Sequence, residues 1–341
     1  MDVAVGADTF IGVWMTGDGI WGRARCHNGA PLRGGGSDTR LDPPHADISN
    51  IPSVAALADG GFVVVWYDGP SSEIGASWID RVGEPIGVFH SVSTKDSGGS
   101  DPTVVQLTDG DVAIVWGTWV RRYDSGGKPR DRAPRSLPLR ALDAAPAPDG
   151  QMLLLADDAA CTDFDACGTE VGLAVLRIAF DADGAPVEKA RAHLAGTSMR
   201  PRPYALASAP VTGRAAAVWF DGYPTNAMLQ LLAATGELDG DPEVIAQAGD
   251  HSTTLNDLTT AWIDVAVDGL GAVGVVWRGT QTGTIYGWTA ANGLTFVDAG
   301  TSDRMPRFPR IAGFPGGGFT AIWSVLIDRV DEDAWFDFMN R

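Results

Sequence analysis

The chain has 341 residues, 45% of them hydrophobic, with 43 glycines, 21 prolines and a formal net charge of −18. This composition favours many short strands joined by tight turns, and no apolar run reaches the ~18 residues that suggest a membrane span. A strongly negative field repels nucleic acids and anionic membranes, so we expect no nucleic-acid binding and no membrane insertion.

A repeated pattern begins at the N-terminus: an apolar strand, a turn rich in Asp and Gly, and a second strand that ends in tryptophan. The first copy, DVAVGADTFIGVW, ends at Trp14, and the second, IPSVAALADGGFVVVW, ends at Trp66. The third, DPTVVQLTDGDVAIVW, ends at Trp116. The fourth, APAPDGQMLLLA, keeps the turn but has Ala156 in place of the tryptophan.

Three further copies complete the pattern. The fifth ends in AAAVW at Trp219, the sixth is IDVAVDGLGAVGVVW ending at Trp277, and the seventh is FPRIAGFPGGGFTAIW ending at Trp323. A third strand such as IGASWID, a turn and a short fourth strand such as VGEPIGVF follow the second strand. Because the copies recur at about 50 residues, we predict an all-β fold, a seven-bladed β-propeller of four-stranded antiparallel blades.

We expect one domain over 1–341, and the sequence ends in what reads as the third strand of the last repeat, WFDFMNR. The last blade is then either three-stranded or completed by further chain. The predicted blade boundaries are 1–40, 41–94, 95–137, 138–195, 196–248, 249–300 and 301–341.

Eleven of the twelve tryptophans fall within the repeat, where a large ring would fill the space between neighbouring sheets. Six end second strands, and the other five lie in predicted third strands: Trp21, Trp78, Trp119, Trp288 and Trp335. Trp262 alone stands outside the pattern.

The motif P-x-V/I-A…DGG-F-x-x-x-W and the later D-x-x-G-x-P turn resemble the tryptophan-containing β-propeller repeats of secreted and surface proteins of bacteria. The resemblance covers essentially the whole chain. The GH…WD signature of WD40 repeats and the Asp-box of sialidases do not occur in it. The resemblance implies a fold and no fixed activity, since propellers host many unrelated functions.

Three cysteines are present, and Cys161 and Cys167 flank a short acidic loop, CTDFDAC. That spacing suits a disulfide, which would indicate an oxidising compartment; two reduced thiols are the alternative. Cys26 would stay unpaired. We therefore expect an extracellular or cell-envelope protein, with a cytoplasmic location as the alternative, although no signal peptide is visible in MDVAVGADTF.

Ligands of propellers usually bind on the face that carries the loops after the second and fourth strands, here called the top face. Asp68, Asp158 and Asp221 each follow the second-strand anchor position by two residues. They would hold a cation or meet a basic partner there, or they simply form Asp-Gly turns. No other cofactor is predicted, but Asp157, Asp163 and Asp165 form a candidate Ca²⁺ site.

Cationic and aromatic residues offer further candidates. Trp262, His251 and Arg307 lie in or near the loops before the sixth and seventh copies, where they could contact a sugar or a peptide. Arg121, Arg122 and Arg130 belong to a basic stretch that is either a docking edge for a partner or protection of a sheet edge.

No catalytic residue is predicted, because no HxH, HExxH, G-x-S-x-G or P-loop motif occurs. The sequence favours a non-enzymatic binding module whose ligand is a protein partner or a glycan. A glycoside hydrolase or lyase with paired carboxylates at the central channel is one alternative. A structural subunit of a larger assembly is the other.

Overall fold

A computed structural model describes residues 1–32, 38–43, 51–94, 97, 101–158, 172–194, 204–221, 226–246, 262–278, 284–298, 304–327 and 331–339. Within these ranges, only the backbone is described at 221, 294–298, 304–307, 325–327 and 331–339. The described residues form 27 strands and no α-helix. Among them there is accordingly no helix long and apolar enough to cross a membrane.

The strands form seven sheets in chain order, and each sheet is a run of consecutive strands. Sheet 1 contains β1 (Asp2–Val5), β2 (Thr9–Thr16), β3 (Gly19–Cys26) and β4 (Thr39–Arg40). Sheet 2 contains β5 (Ser53–Ala56), β6 (Phe62–Asp68), β7 (Glu73–Ile79) and β8 (Pro85–Ser91). Sheet 3 contains β9 (Thr103–Gln106), β10 (Val112–Trp116), β11 (Trp119–Tyr123) and β12 (Arg135–Ser136). Sheet 4 contains β13 (Arg140–Pro146), β14 (Met152–Asp158), β15 (Gly172–Phe180) and β16 (Pro186–Leu194).

The last three sheets follow the same order. Sheet 5 contains β17 (Tyr204–Ala209), β18 (Arg214–Asp221), β19 (Asn226–Ala233) and β20 (Glu243–Ala246). Sheet 6 contains β21 (Ile263–Val267), β22 (Val273–Arg278), β23 (Ile285–Thr289) and β24 (Gly293–Asp298). Sheet 7 contains β25 (Arg304–Gly313), β26 (Phe319–Ile327) and β27 (Asp331–Met339). The described chain thus has six complete four-stranded blades and a partial seventh, so seven complete blades are not present among these residues.

Contacts divide the chain into two compact units: unit 1 comprises 1–152 and 179–187, and unit 2 comprises 153–178 and 188–341. In unit 1, sheets 1 to 3 pack through their apolar second strands; FVVVW in β6 and VAIVW in β10 are buried at every position. In unit 2, sheets 5 and 6 share a core that includes Val218, Val265 and Trp277. The six tryptophans that end second strands are all at most 8% exposed, as expected of core residues.

The third-strand tryptophans differ from one another more than the repeat suggested. Trp21 and Trp119 lie opposite the second-strand tryptophans of their own sheets and are half-buried. Trp78 instead pairs with Val63, three positions before the anchor of its sheet, and is buried. All five lie in third strands as predicted, but the repeat does not fix their register, since Trp78 and Trp288 are not opposite the anchor tryptophans of their sheets.

Aspartates in the hairpin turns cap the turn backbone. Asp80 Oδ1 accepts hydrogen bonds from the amides of Val82 and Glu84, both at 2.9 Å. Asp124 and Asp181 repeat this arrangement with the amides two and four residues later. A side chain that satisfies two turn amides explains why Asp recurs there, and it accounts for DADG as a turn.

Side chains also join neighbouring sheets within each unit at the turn between the first and second strands. Gln106 Oε1 accepts from the amide of Ala58 at 2.7 Å in unit 1, and Asp268 Oδ2 accepts from the amide of Gly318 at 2.7 Å in unit 2. The first strands are joined similarly, since Asp2 Oδ2 accepts from the Val54 amide at 2.8 Å. These contacts fix the position of one sheet on the next.

Candidate functional site

Trp262 lies immediately before β21, the first strand of sheet 6, and is half-buried. Its carbonyl accepts a hydrogen bond from the Arg278 amide at 3.0 Å, so its backbone is tied to the end of β22. The Phe308 ring meets the indole edge-on, with ring centres 4.7 Å apart and planes at 84°. The Arg310 guanidinium carbon lies 5.4 Å from the indole centre. These three side chains are called the Trp262 cluster below.

The backbone of β25 is distorted where it reaches this cluster. Phe308 has a φ of +50°, and the register with β26 shifts between Arg307 and Arg310. A left-handed conformation is unusual for a bulky residue and carries a strain of order 1–3 kcal/mol. The Ile311 amide, donating to Asp264 Oδ2 at 2.9 Å, holds β25 on β21 directly after the distortion.

A buried cation lies next to the cluster. Arg278 follows the core residue Trp277 and is only 8% exposed, although it is charged. In an aromatic setting a guanidinium can stack on a ring as well as donate hydrogen bonds, so Arg278 and Arg310 give this part of unit 2 a polar, cationic character.

Sequence reasoning singled out Trp262 but missed its neighbours. Phe308 aligns with Ile51 in the repeat and therefore reads as an ordinary apolar strand residue. Arg310 replaces the small Ser53 of the second copy, which was the one available signal. Of the other residues proposed for this region, Arg307 lies in β25 with only its backbone described, and His251 lies outside the described residues.

The three second-strand aspartates lie where the repeat predicted, at the ends of β6, β14 and β18. Asp68 Oδ2 accepts from the Ser71 hydroxyl at 2.7 Å, while its Oδ1 is buried without a hydrogen-bond partner among the described residues. The backbone of Asp221 pairs with Asn226. Asp68 belongs to unit 1 and the other two belong to unit 2, and each is described with its own local partners.

Asp158 contacts the side chains of Arg191 and His193 in the outer strand of its own sheet. Arg191 Nη1 lies 3.1 Å from Asp158 Oδ2, and His193 Nδ1 lies 3.2 Å from the same oxygen. Arg191 also pairs with Glu188 at 2.8 Å. The charge of Asp158 is therefore balanced within sheet 4.

The candidate Ca²⁺ site falls mostly outside the described residues, which do not include Asp163, Asp165, Cys161 or Cys167. Asp157 lies in β14, and its Oδ1 is buried without a partner among the described residues. In the described ranges, no group of three or more His, Cys, Asp or Glu side chains could hold a metal. Cys26 is a half-buried free thiol.

The basic stretch of sheet 3 makes contacts within unit 1. Arg122 pairs with Asp131 at 3.1 Å and lies 4.4 Å from the centre of the Phe180 ring. Arg130 pairs with Asp111 at 2.9 Å. Two of the three arginines proposed as a docking edge thus have acidic partners within the unit.

Arg121, the third, joins sheets 2 and 3. Its Nη1 donates to the Val92 carbonyl at 2.9 Å, and its guanidinium lies 5.5 Å from the Tyr123 ring centre. Burial raises the pKa of Tyr123 to about 12, outweighing the opposite effect of the Arg121 charge. Burial and the Arg121 charge also lower the pKa of His90, whose ring contacts Trp78 edge-on at 4.9 Å.

No protein-family model and no curated protein matches this chain. Among solved structures, it is similar to PorZ, an essential bacterial surface component of the type-IX secretion system of Porphyromonas gingivalis. That match has 11% identity and a TM-score of 0.53, and it covers 100% of this chain but 38% of the other. The WD40 domain of Toxoplasma gondii coronin matches with 10% identity and a TM-score of 0.56, covering 100% of this chain and 81% of that one.

Puromycin hydrolase matches with 15% identity and a TM-score of 0.56, covering 97% of this chain and 50% of its own. The chain thus spans half or less of the PorZ and puromycin hydrolase chains. At such identities these similarities establish the fold alone. Together with the sheet order they show a β-propeller built of four-stranded antiparallel blades.

Proposed function

We propose that this chain is a non-enzymatic binding module whose ligand is a glycan that contacts the Trp262 cluster. The observation that carries the proposal is a half-buried tryptophan outside the repeat pattern, whose ring contacts the Phe308 ring and the Arg310 guanidinium. A ring held in place presents apolar area to a sugar at little entropic cost, and an adjacent guanidinium donates to hydroxyl or carboxylate oxygens.

The side chains around Trp262 support a binding role more than the backbone does. Phe308 has a φ of +50°, but the aligned Asp101 of the third copy has a φ of +55°, so this left-handed conformation is shared by two copies of the repeat. By contrast, the Phe308 ring and the Arg310 guanidinium that meet Trp262 replace Asp101 and Thr103 of that copy.

Isothermal titration with a panel of neutral and uronic-acid oligosaccharides tests the proposal. We expect saturable binding by the wild type, with Trp262→Ala weakening it at least about tenfold through loss of aromatic contact. Arg310→Ala should weaken uronic-acid ligands more than neutral ones, because only the former offer a carboxylate. Trp21→Ala is the matched control, since Trp21 is a half-buried tryptophan of unit 1.

Absence of binding across the panel, or equal losses of affinity in the Trp262 and Trp21 variants, would contradict the proposal that the ligand is a glycan. Turnover of a panel member would favour the hydrolase or lyase alternative. Saturable heat with Ca²⁺ that is lost in Asp157→Asn would instead support the Ca²⁺ site. A structural subunit would bind no member of the panel.

We further propose an extracellular or cell-envelope location and seven blades of the tryptophan-containing bacterial type. The seven repeated anchors support the blade number, and the spacing of Cys161 and Cys167 supports the compartment. Peptide mapping of the natively produced protein without reductant tests the compartment, because two free thiols there would contradict it.

A further inference from the structure

The outer strand of sheet 2, β8, exposes large apolar side chains. Ile86 is 56% exposed, Val88 73% and Phe89 38%. They account for three of the seven exposed large hydrophobic side chains among the described residues. The strand is hydrogen-bonded to β7 on one side and is last in the sheet order, so its other edge carries no strand of this sheet.

Three of the other outer strands, β4, β12 and β16, are protected in the ways that natural proteins protect sheet edges. The nine-residue strand β16 carries charge at Glu188, Lys189 and Arg191. The outer strands β4 and β12 are only two residues long. By contrast, β8 is seven residues long, with the sequence PIGVFHS and no Asp, Glu, Lys or Arg.

Two aromatic side chains of β8 contact buried tryptophans of sheet 2. Phe89 contacts Trp66, with ring centres 6.2 Å apart, and His90 contacts Trp78 at 4.9 Å. Both tryptophans are at most 3% exposed, so the strand rests on a fixed core. Because β8 is already ordered, a partner can pair with its edge without the entropic cost of ordering the strand first.

Carboxylates lie at both ends of this apolar strand. Glu84 is exposed and directly precedes Pro85. At the other end, the Ser91 hydroxyl donates to Glu73 Oε2 at 2.9 Å. With a net charge of −18 on the whole chain, this surface matches a segment that is apolar in the middle and basic at its ends.

We propose that β8 is a docking edge for an extended segment of a partner protein, which adds to sheet 2 as a further strand and carries apolar side chains between two basic ends. Main-chain hydrogen bonds to the free edge supply affinity, and contacts with Val88 and Ile86 supply specificity. The register shift beside Ala76 and the left-handed Gly87 interrupt regular pairing, which limits the added strand to a short segment.

The test uses the full chain and a fluorescein-labelled peptide, Lys-Val-Thr-Val-Thr-Val-Lys, with fluorescence anisotropy as the readout. We expect saturable binding, and roughly tenfold or greater loss of affinity in Val88→Lys, since a like charge then meets the peptide on a surface that had been apolar. Val211→Lys is the matched control, because Val211 is a 97% exposed valine in unit 2. Both positions are exposed, so both variants should fold.

Two further peptides test the mode of binding. A version with glutamate at both ends should bind more weakly, and a version with N-methyl groups on alternate residues should not bind, because it cannot pair as a strand. Equal binding of the N-methylated peptide, or equal affinity of the Val88 and Val211 variants, would overturn the proposal. Self-association abolished by Val88→Lys in sedimentation velocity would also overturn it and identify a second copy as the occupant. None of these readouts depends on Trp262, so the glycan proposal can fail independently.

Discussion

The Tyr123 side chain is 1% exposed, and its hydroxyl makes no hydrogen bond of normal geometry among the described residues, although it interacts electrostatically with the Arg121 side chain. A buried polar group of this kind costs more in desolvation than it returns. Tyr123→Phe should therefore leave the free energy of unfolding at pH 7 unchanged or raise it by up to ~1 kcal/mol. Urea unfolding measures this, and a loss of several kcal/mol would show that the hydroxyl is bonded in solution.

The same residue predicts an alkaline loss of stability. Burial raises the pKa of Tyr123 to about 12, so ionisation of the phenol favours the unfolded state, in which its pKa is near 10, and stability is fully present below that pH. As pH rises through this interval the unfolded state ionises first, and the contribution, about 2–3 kcal/mol, is lost. The wild type should lose this amount relative to Tyr123→Phe between pH 9 and about 12. Equal slopes for the wild type and Tyr123→Phe over this range would contradict the prediction.

Single residues were predictable where the repeat constrains them. The second-strand tryptophans could be assigned to the core because six copies place an indole at the same point after the same turn. Phe308 could not be recognised, because its contact with Trp262 joins residues that are far apart in the chain and that the repeat pattern does not link. The partners of Asp158 were equally hidden, since Arg191 and His193 lie more than thirty residues later.

Among the elements, the turn at Asp268 is notable because one side chain caps the turn and also binds the neighbouring sheet. Its Oδ1 accepts from the amides of Leu270 and Ala272 within the turn, and its Oδ2 accepts from Gly318 in sheet 7. Asp124 caps its own turn in the same way, and the described hydrogen bonds of its side chain all lie within that turn. The two turns therefore differ by one inter-sheet hydrogen bond to a buried carboxylate.

Asp268→Ala should consequently cost more stability than Asp124→Ala. We expect about 2–4 kcal/mol for the first and about 0.5–2 kcal/mol for the second, because only the first removes a buried carboxylate that also binds a part-buried amide of the neighbouring sheet. Chemical denaturation compares the two variants under one set of conditions. Equal losses would mean that the bond to Gly318 adds nothing to the turn.

The order of the strands could be predicted from the sequence better than their pairing register and their lengths. The Asp-Gly turns and alternating apolar runs located the first and second strands of most sheets. The register of third strands was not predictable, because Trp78 and Trp288 lie opposite Val63 and Val275 while other third-strand tryptophans lie opposite the anchors. Outer strands vary from two to nine residues and have no common sequence signal.

For the whole molecule, the charge of −18 is the property most open to a direct test. Like charges repel more strongly in the compact state, and salt screens this repulsion over a distance of about 10 Å at 0.1 M. The melting temperature should therefore rise as sodium chloride increases from low to physiological ionic strength. An equimolar series of an uncharged osmolyte serves as control, and a fall in melting temperature with salt would show that attractive pairs such as Arg122–Asp131 dominate instead.

The fold class followed from the repeats because each copy is a supersecondary unit that must bury both faces of its sheet against its neighbours. The function did not follow, since it depends on a few side chains that depart from the repeat. Trp262, Arg310 and the uncharged strand β8 are all departures of this kind.

Hydrogen bonds to side chains join the turns of neighbouring sheets, and they differ from one pair of sheets to the next. The order of the repeats along the chain is therefore specified by these side chains. The side chain of Gln106 accepts a hydrogen bond from the amide of Ala58, that of Thr108 from Gly150, and that of Asp268 from Gly318. Each junction uses a different residue type, so a copy moved to another place would meet a neighbour built for a different partner. Recombination between these similar segments would produce mismatched junctions, and lineages that had diverged in this way would be protected against losing or gaining a blade.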